Sequence, residues 1–267
     1  MKKFLSLVLA VLMLTLCFAG CGSSDAIKIG VQTSTTGDIY ASGDFGEDAV
    51  LRYDNGAAAV EALKVGKVDI VIIDNEPAKS YVAANEGLKI LESAYAEEEY
   101  AICFQKGSDL KNDVNNALIE LINDGSVKKI VDKYISNSGE ALVGVPVKAV
   151  DTDKPNLVMA TNAEFPPYEY IDGDKYYGID VEVAKIIADK LGYDLVIENV
   201  AFDSIIPGVQ SGKYSMGMAG MTVTDERLKS VDFSSTYATG IQVVITKDDG
   251  GKINAIEDLD PYYVPAE

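Results

Sequence analysis

The chain has no histidine, no tryptophan and only three cysteines in 267 residues. Without histidine, a Ser-His-Asp triad and an imidazole-based zinc site are excluded, and the scattered cysteines form no cluster that would replace them. No metal, cofactor or catalytic residue is expected. Cations are also scarce: 23 Lys and Arg stand against 42 Asp and Glu, a formal charge of −19 at pH 7. That balance argues against a nucleic-acid partner and against docking on anionic lipid through a basic face. Apolar residues make up 48% of the chain, enough for a sizeable core and, at this length, for two lobes.

Residues 1–20 read as a targeting segment. Lys2 and Lys3 form a positive start and 4–18 an apolar stretch that is short for a membrane span. Small residues Ala19 and Gly20 lead into Cys21, an arrangement similar to a bacterial lipoprotein box, in which the cysteine is lipidated and becomes the new N-terminus. Phe18 stands where such boxes usually carry Leu. An ordinary thiol after a cleaved leader is the alternative. Residues 21–26 then serve as a tether, and the expected location is extracytoplasmic, lipid-anchored to the outer face of the cell membrane through Cys21. Cys17 leaves with the leader. Cys103, in an apolar segment, is expected to be a buried small hydrophobe.

Hydrophobic periodicity predicts strands over 28–32, 69–73, 89–91, 100–104, 157–161, 195–200, 216–219 and 242–246, and helices over 57–63, 76–85, 110–123, 127–135, 180–191 and 204–210. Residues 136–154, with Ser, Gly, Pro and weak periodicity, read as a linker. Strands alternate with helices, so the expected class is α/β with largely parallel sheets covered on both faces. A faint internal echo, Gly66-Lys67 and Gly212-Lys213 each between a helix and a strand, suggests two similar lobes offering strand ends to one cleft.

The stretch 216–227 organises the rest. A short apolar strand ends at Gly220, whose missing side chain lets backbone approach another group. Thr222 offers a hydroxyl and an N–H, Thr224 caps an acidic helix start, and Arg227 lies one turn in, able to reach back. On these residues alone a carboxylate receptor and a loop with a surface arginine are both open. Other polar groups fall at predicted strand ends: Gln32, Thr35, Asp74, Asn162 and Glu164. Arg227 with Thr222 would hold the carboxylate of an α-amino acid and Asp74 its ammonium, with Phe165 and Phe202 around the side chain. Taken singly, each phenylalanine is as readily core, and Asp74 a helix cap.

Several motifs together resemble one family. They are 161–170 (Thr-Asn-Ala-Glu-Phe-Pro-Pro-Tyr-Glu-Tyr), 177–180 (Tyr-Gly-Ile-Asp), 202–207 (Phe-Asp-Ser-Ile-Ile-Pro), 219–227 (Ala-Gly-Met-Thr-Val-Thr-Asp-Glu-Arg) and 231–234 (Val-Asp-Phe-Ser). Residues 30–37, 66–74 and 100–102 are similar to its other half. The family is that of the extracytoplasmic polar-amino-acid-binding proteins of ABC importers, the glutamine-, arginine- and cystine-binding type (solute-binding protein family 3). The resemblance implies a two-lobed periplasmic-binding-protein-like fold of type II, with lobes joined by two hinge strands. It also implies a side-chain wall of Phe165 and Phe202, a carboxylate clamp of Gly220, Thr222 and Arg227, an ammonium partner in Asp74, a hydroxyl contact from Thr35, and side-chain contacts from Gln32 and Asn162. Asn162 stands where members that bind glutamine or basic amino acids often carry Asp. Ser34 stands where the family usually has Gly.

The order of the halves is reversed relative to the family, which implies a circular permutant or a fragment of a tandem pair. On the first view one lobe comprises 27–99 with 240–267, and the other 100–239, with 136–154 joining the old termini. The implied function is a receptor, monomeric, that binds a polar amino acid between the lobes and delivers it to ABC permease subunits in the membrane. Alternatives are a dehydratase of the prephenate or arogenate type, with Glu164 as the acid, and a ligand-sensing module without transport.

Overall fold

The computed structural model describes residues 26–136, 138–151, 153 and 155–264. The leader, the tether up to residue 25 and Cys21 lie outside these residues. Among the described residues no helix is long and apolar enough to cross a membrane.

The chain first builds most of one lobe. Its elements are β1 (Ile29–Gln32), α1 (Thr36–Phe45), β2 (Val50–Tyr53), α2 (Gly56–Lys64), β3 (Ile70–Asp74), α3 (Asn75–Ala84), β4 (Leu88–Ile90) and β5 (Ala96–Tyr100). It then passes through Ala101 and Ile102 into the second lobe. There it forms β6 (Cys103–Gln105), α4 (Leu110–Asn123), α5 (Ser126–Ile135), β7 (Val145–Pro146), β8 (Asn156–Thr161), β9 (Glu164–Phe165), β10 (Glu169–Asp172), β11 (Lys175–Tyr177), α6 (Ile179–Leu191), β12 (Asp194–Asn199), α7 (Ile205–Gln210), β13 (Met216–Gly217), α8 (Asp225–Ser230) and β14 (Val231–Phe233). It returns to the first lobe as β15 (Ala238–Lys247).

The first sheet has the order β2-β1-β3-β15-β4, with β5 also on β15. The second has the order β12-β8-β13-β6-β14. In the first lobe, side-chain alternation along a strand feeds two cores. Ile70 and Ile72 of β3 face Ala41 and Phe45 of α1, whereas Val71 and Ile73 face Val60 and Leu63 of α2 and Ala78 of α3. In the second lobe, Leu157 and Met159 of β8 pack beneath α4, α5 and α6, and Ala160 faces Ile205 and Val209 of α7. The result is a two-lobed, periplasmic-binding-protein-like α/β fold.

Four expectations change. The sheets are mixed, not largely parallel: β1, β2 and β3 run parallel, as do β8, β12 and β13, but β15 and β6 run antiparallel to their neighbours. The expected strand over 100–104 is two strands in two sheets, because the chain crosses between lobes at Ala101. A helix follows β1 directly, since Thr35 caps it by accepting from Asp38 N, and the hydroxyl-rich turn hides that helix from hydrophobic periodicity. The segment after Asn162 contains short antiparallel strands, and the linker contributes β7, paired with β11. The internal echo is present: Gly66 and Gly212, with φ of +73° and +74°, each end a helix before β3 and β13 respectively.

One buried ion pair ties α5 to α6. Lys133 Nζ lies 2.5 and 2.6 Å from the Glu182 carboxylate oxygens, and both residues are under 9% exposed. Removing one partner strands the other charge. Lys133→Met should therefore cost about 3–5 kcal/mol in urea unfolding, whereas the double variant with Glu182→Leu should recover most of that loss. A single variant within about 0.5 kcal/mol of the parent would show the pair to be inessential.

Candidate functional site

The second lobe contributes one wall of the cleft. Asn162 follows β8, Phe165 lies in β9, and Gly220 follows β13 with φ of +50°. A Cβ at Gly220 would sit 3.0 Å from the Phe165 ring, so glycine lets the ring lie on the backbone. Thr224 caps α8 and accepts from Arg227 N at 3.2 Å. That cap sets Arg227 in the first turn, where Nη1 donates to Thr222 O at 2.8 Å. The guanidinium carbon lies 5.4 Å from the centre of the Phe202 ring. The first lobe supplies the opposite wall. Asp74 ends β3 and caps α3 through Glu76 N at 3.2 Å, and the Tyr100 hydroxyl also donates to it. Gln32 ends β1. Thr35 donates to Gln32 O at 2.8 Å.

Several hydrogen bonds cross between the walls, Thr222 Oγ1 to Glu98 Oε2 at 3.0 Å among them. Gln32 Nε2 donates to Asn162 Oδ1 at 2.9 Å, Arg227 Nη2 to Ser34 O at 3.0 Å, and Tyr81 Oη to Glu164 O at 3.3 Å. Ser34, a residue with a Cβ, holds φ of +63°. The lobes thus meet across the cleft and enclose a cavity between them.

Nine of the residues singled out in the sequence border this cavity: Gln32, Thr35, Asp74, Asn162, Phe165, Phe202, Gly220, Thr222 and Arg227. Glu164 does not. It precedes Phe165 in β9, so alternation turns its side chain to solvent while Phe165 faces in. Glu164 is therefore not placed to act as an acid in the cleft. Cys103 is buried in β6, and burial pushes its thiol up to about 12, which fits an inert hydrophobe.

Sequence reasoning missed Glu98, Tyr100, Gln242 and Glu169, all of which border the cavity. Glu98 sits in a run of three glutamates, 97–99, which reads as a solvated face. The available signal was period two: Glu98 and Tyr100 share the buried side of β5, and Glu97 and Glu99 the exposed one. Glu98 Oε2 accepts from Thr222 Oγ1 at 3.0 Å and from Gln242 Nε2 at 3.1 Å.

Burial dominates the electrostatics. Asp74 is raised to about 7 by burial, against the lowering effects of Tyr100 and the Glu76 N–H. Arg227 is lowered by burial, with the charge of Glu98 opposing. No carboxylate lies within ion-pair distance of Arg227 among the described residues. Behind Gly220, Asp180 accepts from Gly220 N at 2.8 Å and Tyr237 Oη at 2.8 Å. Glu169 lies against it, held well above the usual carboxylate range by burial and then by the Asp180 charge.

Two lobes joined by two crossings face each other across a polar cleft. Residues 157–260 match the model for bacterial extracellular solute-binding proteins, family 3. It is 39% identical over 109 residues to the "Arginine-binding extracellular protein ArtP" of Bacillus subtilis, covering 41% of this chain and 42% of that one. It is 27% identical over 143 residues to the "L-cystine-binding protein TcyJ" of Escherichia coli K12, covering 53% and 49%. Among solved structures, the arginine-bound form of domain 1 from TmArgBP is 31% identical, with 43% of this chain and 94% of that one covered at a TM-score of 0.32. The chain thus spans about half or less of the length of these curated relatives.

The raised Asp74 has a consequence for stability. Between its ordinary value of 3.8 and about 7, the folded state holds a proton that the unfolded chain has lost, so stability falls as pH rises through that window. Asp180, also raised to about 7 by burial, acts in the same sense. Asp74→Asn, free of that titration, should be more stable than the parent at pH 8 by on the order of 2–4 kcal/mol, and the gap should close toward pH 4. Urea midpoints across pH measure this; parallel curves for the two proteins would refute the buried, protonated Asp74.

Proposed function

We propose that this chain is an extracytoplasmic receptor, lipid-anchored through Cys21, that closes on a polar amino acid and presents it to the permease subunits of an ABC importer. The carrying observation is Arg227: a buried guanidinium without a carboxylate partner, bordering the same cavity as Asp74 and held from the opposite lobe. A zwitterion complements that pair, its carboxylate on Arg227 and the Thr222 N–H and its ammonium on Asp74. The printed names of the relatives, arginine-, histidine- and cystine-binding, support an amino acid as ligand. Hinge closure is the mechanism: both lobes touch the ligand, and the closed form is what the transporter reads. The receptor acts as a monomer.

The order of the halves fits the same proposal as a circular permutation, with 136–154 joining the family's ordinary termini. Ile27 and Leu259 share one hydrophobic cluster, so a continuous run from 260 into 28 would span a short distance.

Isothermal titration against a panel of amino acids tests the reading. Arg227→Ala should weaken every amino acid that binds by on the order of a hundredfold or more, since it deletes two charge-assisted bonds to the carboxylate. Phe165→Ala should instead reorder the panel. Undiminished affinity in Arg227→Ala would end the clamp assignment. Binding should also weaken as pH falls below about 7, because Asp74 must ionise to meet an ammonium.

A further inference from the structure

The cleft holds more negative charge than a neutral zwitterion balances. Arg227 contributes one cation against the carboxylates of Asp74 and Glu98, all three at most 7% exposed, and Glu169, buried against Asp180 with no other donor to its oxygens, borders the cavity too. The orphaned atoms have the same bias. Glu98 Oε2 is satisfied by Thr222 and Gln242, but Glu98 Oε1 is buried, borders the cavity and has no donor. Gln242 Oε1 is likewise a buried acceptor without a donor. Its orientation is fixed by the amide nitrogen, which donates to Glu98. A buried acceptor left without a partner is costly, and a buried carboxylate more so. The hydroxyl of half-buried Tyr40 interacts with the Glu98 carboxylate, but a neutral phenol brings no positive charge. What these two atoms require is a group that brings both N–H donors and positive charge.

We propose that Glu98 is a specificity-determining residue, whose free oxygen accepts from a second cationic group on the ligand, so that the receptor selects amino acids with a guanidinium or ammonium side chain over neutral ones. This rests on the receptor reading above and narrows it. A ligand of net charge +1 gives each of these three side chains an opposite charge, with Arg227 on the carboxylate, Asp74 on one cation and Glu98 on the other. A neutral ligand leaves Glu98 buried and unpaired, which acts as discrimination against it. Because Glu98 lies in β5, paired with β15 at Gly240, its charge sits on the strands that join the lobes and is present in the cleft however the walls move.

Arginine and citrulline, which differ in charge but hardly in shape, separate the possibilities by titration of the purified full chain. The parent should bind arginine at least about tenfold tighter than citrulline. Glu98→Gln, which keeps the size and an acceptor for Thr222, should bring the two within about threefold of each other, chiefly by weakening arginine. Glu98→Asp, which keeps the charge, should retain the preference for arginine. A parent that binds citrulline or glutamine as tightly as arginine overturns the assignment and leaves the receptor reading intact. Equal weakening of arginine and citrulline in Glu98→Gln also overturns it and makes Glu98 a hinge residue without selectivity. A parent that binds no amino acid removes the receptor reading, and this assignment with it.

Discussion

A guanidinium at 7% exposure with no carboxylate beside it is the constraint on which the rest of this structure depends. Desolvating such a group costs several kcal/mol, and two carbonyl contacts offset only part of that. The fold tolerates it because neighbouring features converge on it. Thr224 fixes the turn that carries Arg227, Thr222 turns its carbonyl inward, and the Phe202 ring lies near the cation. The second carbonyl comes from Ser34 of the other lobe, in a backbone conformation that costs a non-glycine residue on the order of 1 kcal/mol. Charge burial in one lobe and strain in the other therefore meet in a single hydrogen bond. A carboxylate delivered to Arg227 would replace a weak partner with a strong one, which is why the arrangement favours an anionic group in the cleft.

The walls of the cleft and the crossings between lobes are not separate parts. Tyr100 ends β5, donates to Asp74 and bridges to Thr222, and it lies so close over Gly240 of β15 that a Cβ there would sit 2.2 Å from its hydroxyl. Glu98, two residues earlier, holds Thr222 of one lobe and Gln242 of the other. Any rotation about these strands changes the geometry of the acids and of the clamp together. Closure and recognition draw on the same side chains, so a ligand that satisfies them has differential contacts with open and closed forms, as a population shift requires.

Much of this was legible in the sequence, for identifiable reasons. The group around Arg227 sits in one local stretch, where Gly220, the Thr224 cap and the offset of Arg227 follow from turn and helix chemistry alone. The helix 110–123 and the strand around 70–74 have clean periodicity. Illegible features depended on partners distant in the chain. Glu98 looks solvated beside Glu97 and Glu99, and only its pairing with β15 shows which face of β5 is buried. Glu169 follows an irregular run with two prolines, and its burial beside Asp180 is set by the packing of α6. Glu164 misled in the opposite direction: its place in a strand-end motif suggested the cleft, whereas a one-residue register with Phe165 sends it outward.

The acidity seen in the composition acts on two length scales. The formal charge of −19 is distributed over the surface, where salt limits its reach to roughly 8–10 Å, so it can enrich cations near the molecule but cannot select among them. Selection needs charge where water is excluded, and there the protein has Asp74, Glu98 and, one layer back, the Glu169–Asp180 pair. These acids are not equivalent. Asp180 accepts from Gly220 and Tyr237, and Glu169, whose oxygens have no other donor, lies against it and is held well above the usual carboxylate range by burial. Asp74 has Tyr100 and the Glu76 N–H, so it is poised between protonated and ionised near pH 7. Glu98 keeps one oxygen with no donor although Thr222 and Gln242 donate to the other, and no second carboxyl lies against it as Asp180 lies against Glu169. A bare oxygen on the strands that join the lobes is where an added donor would change the balance of the cleft most.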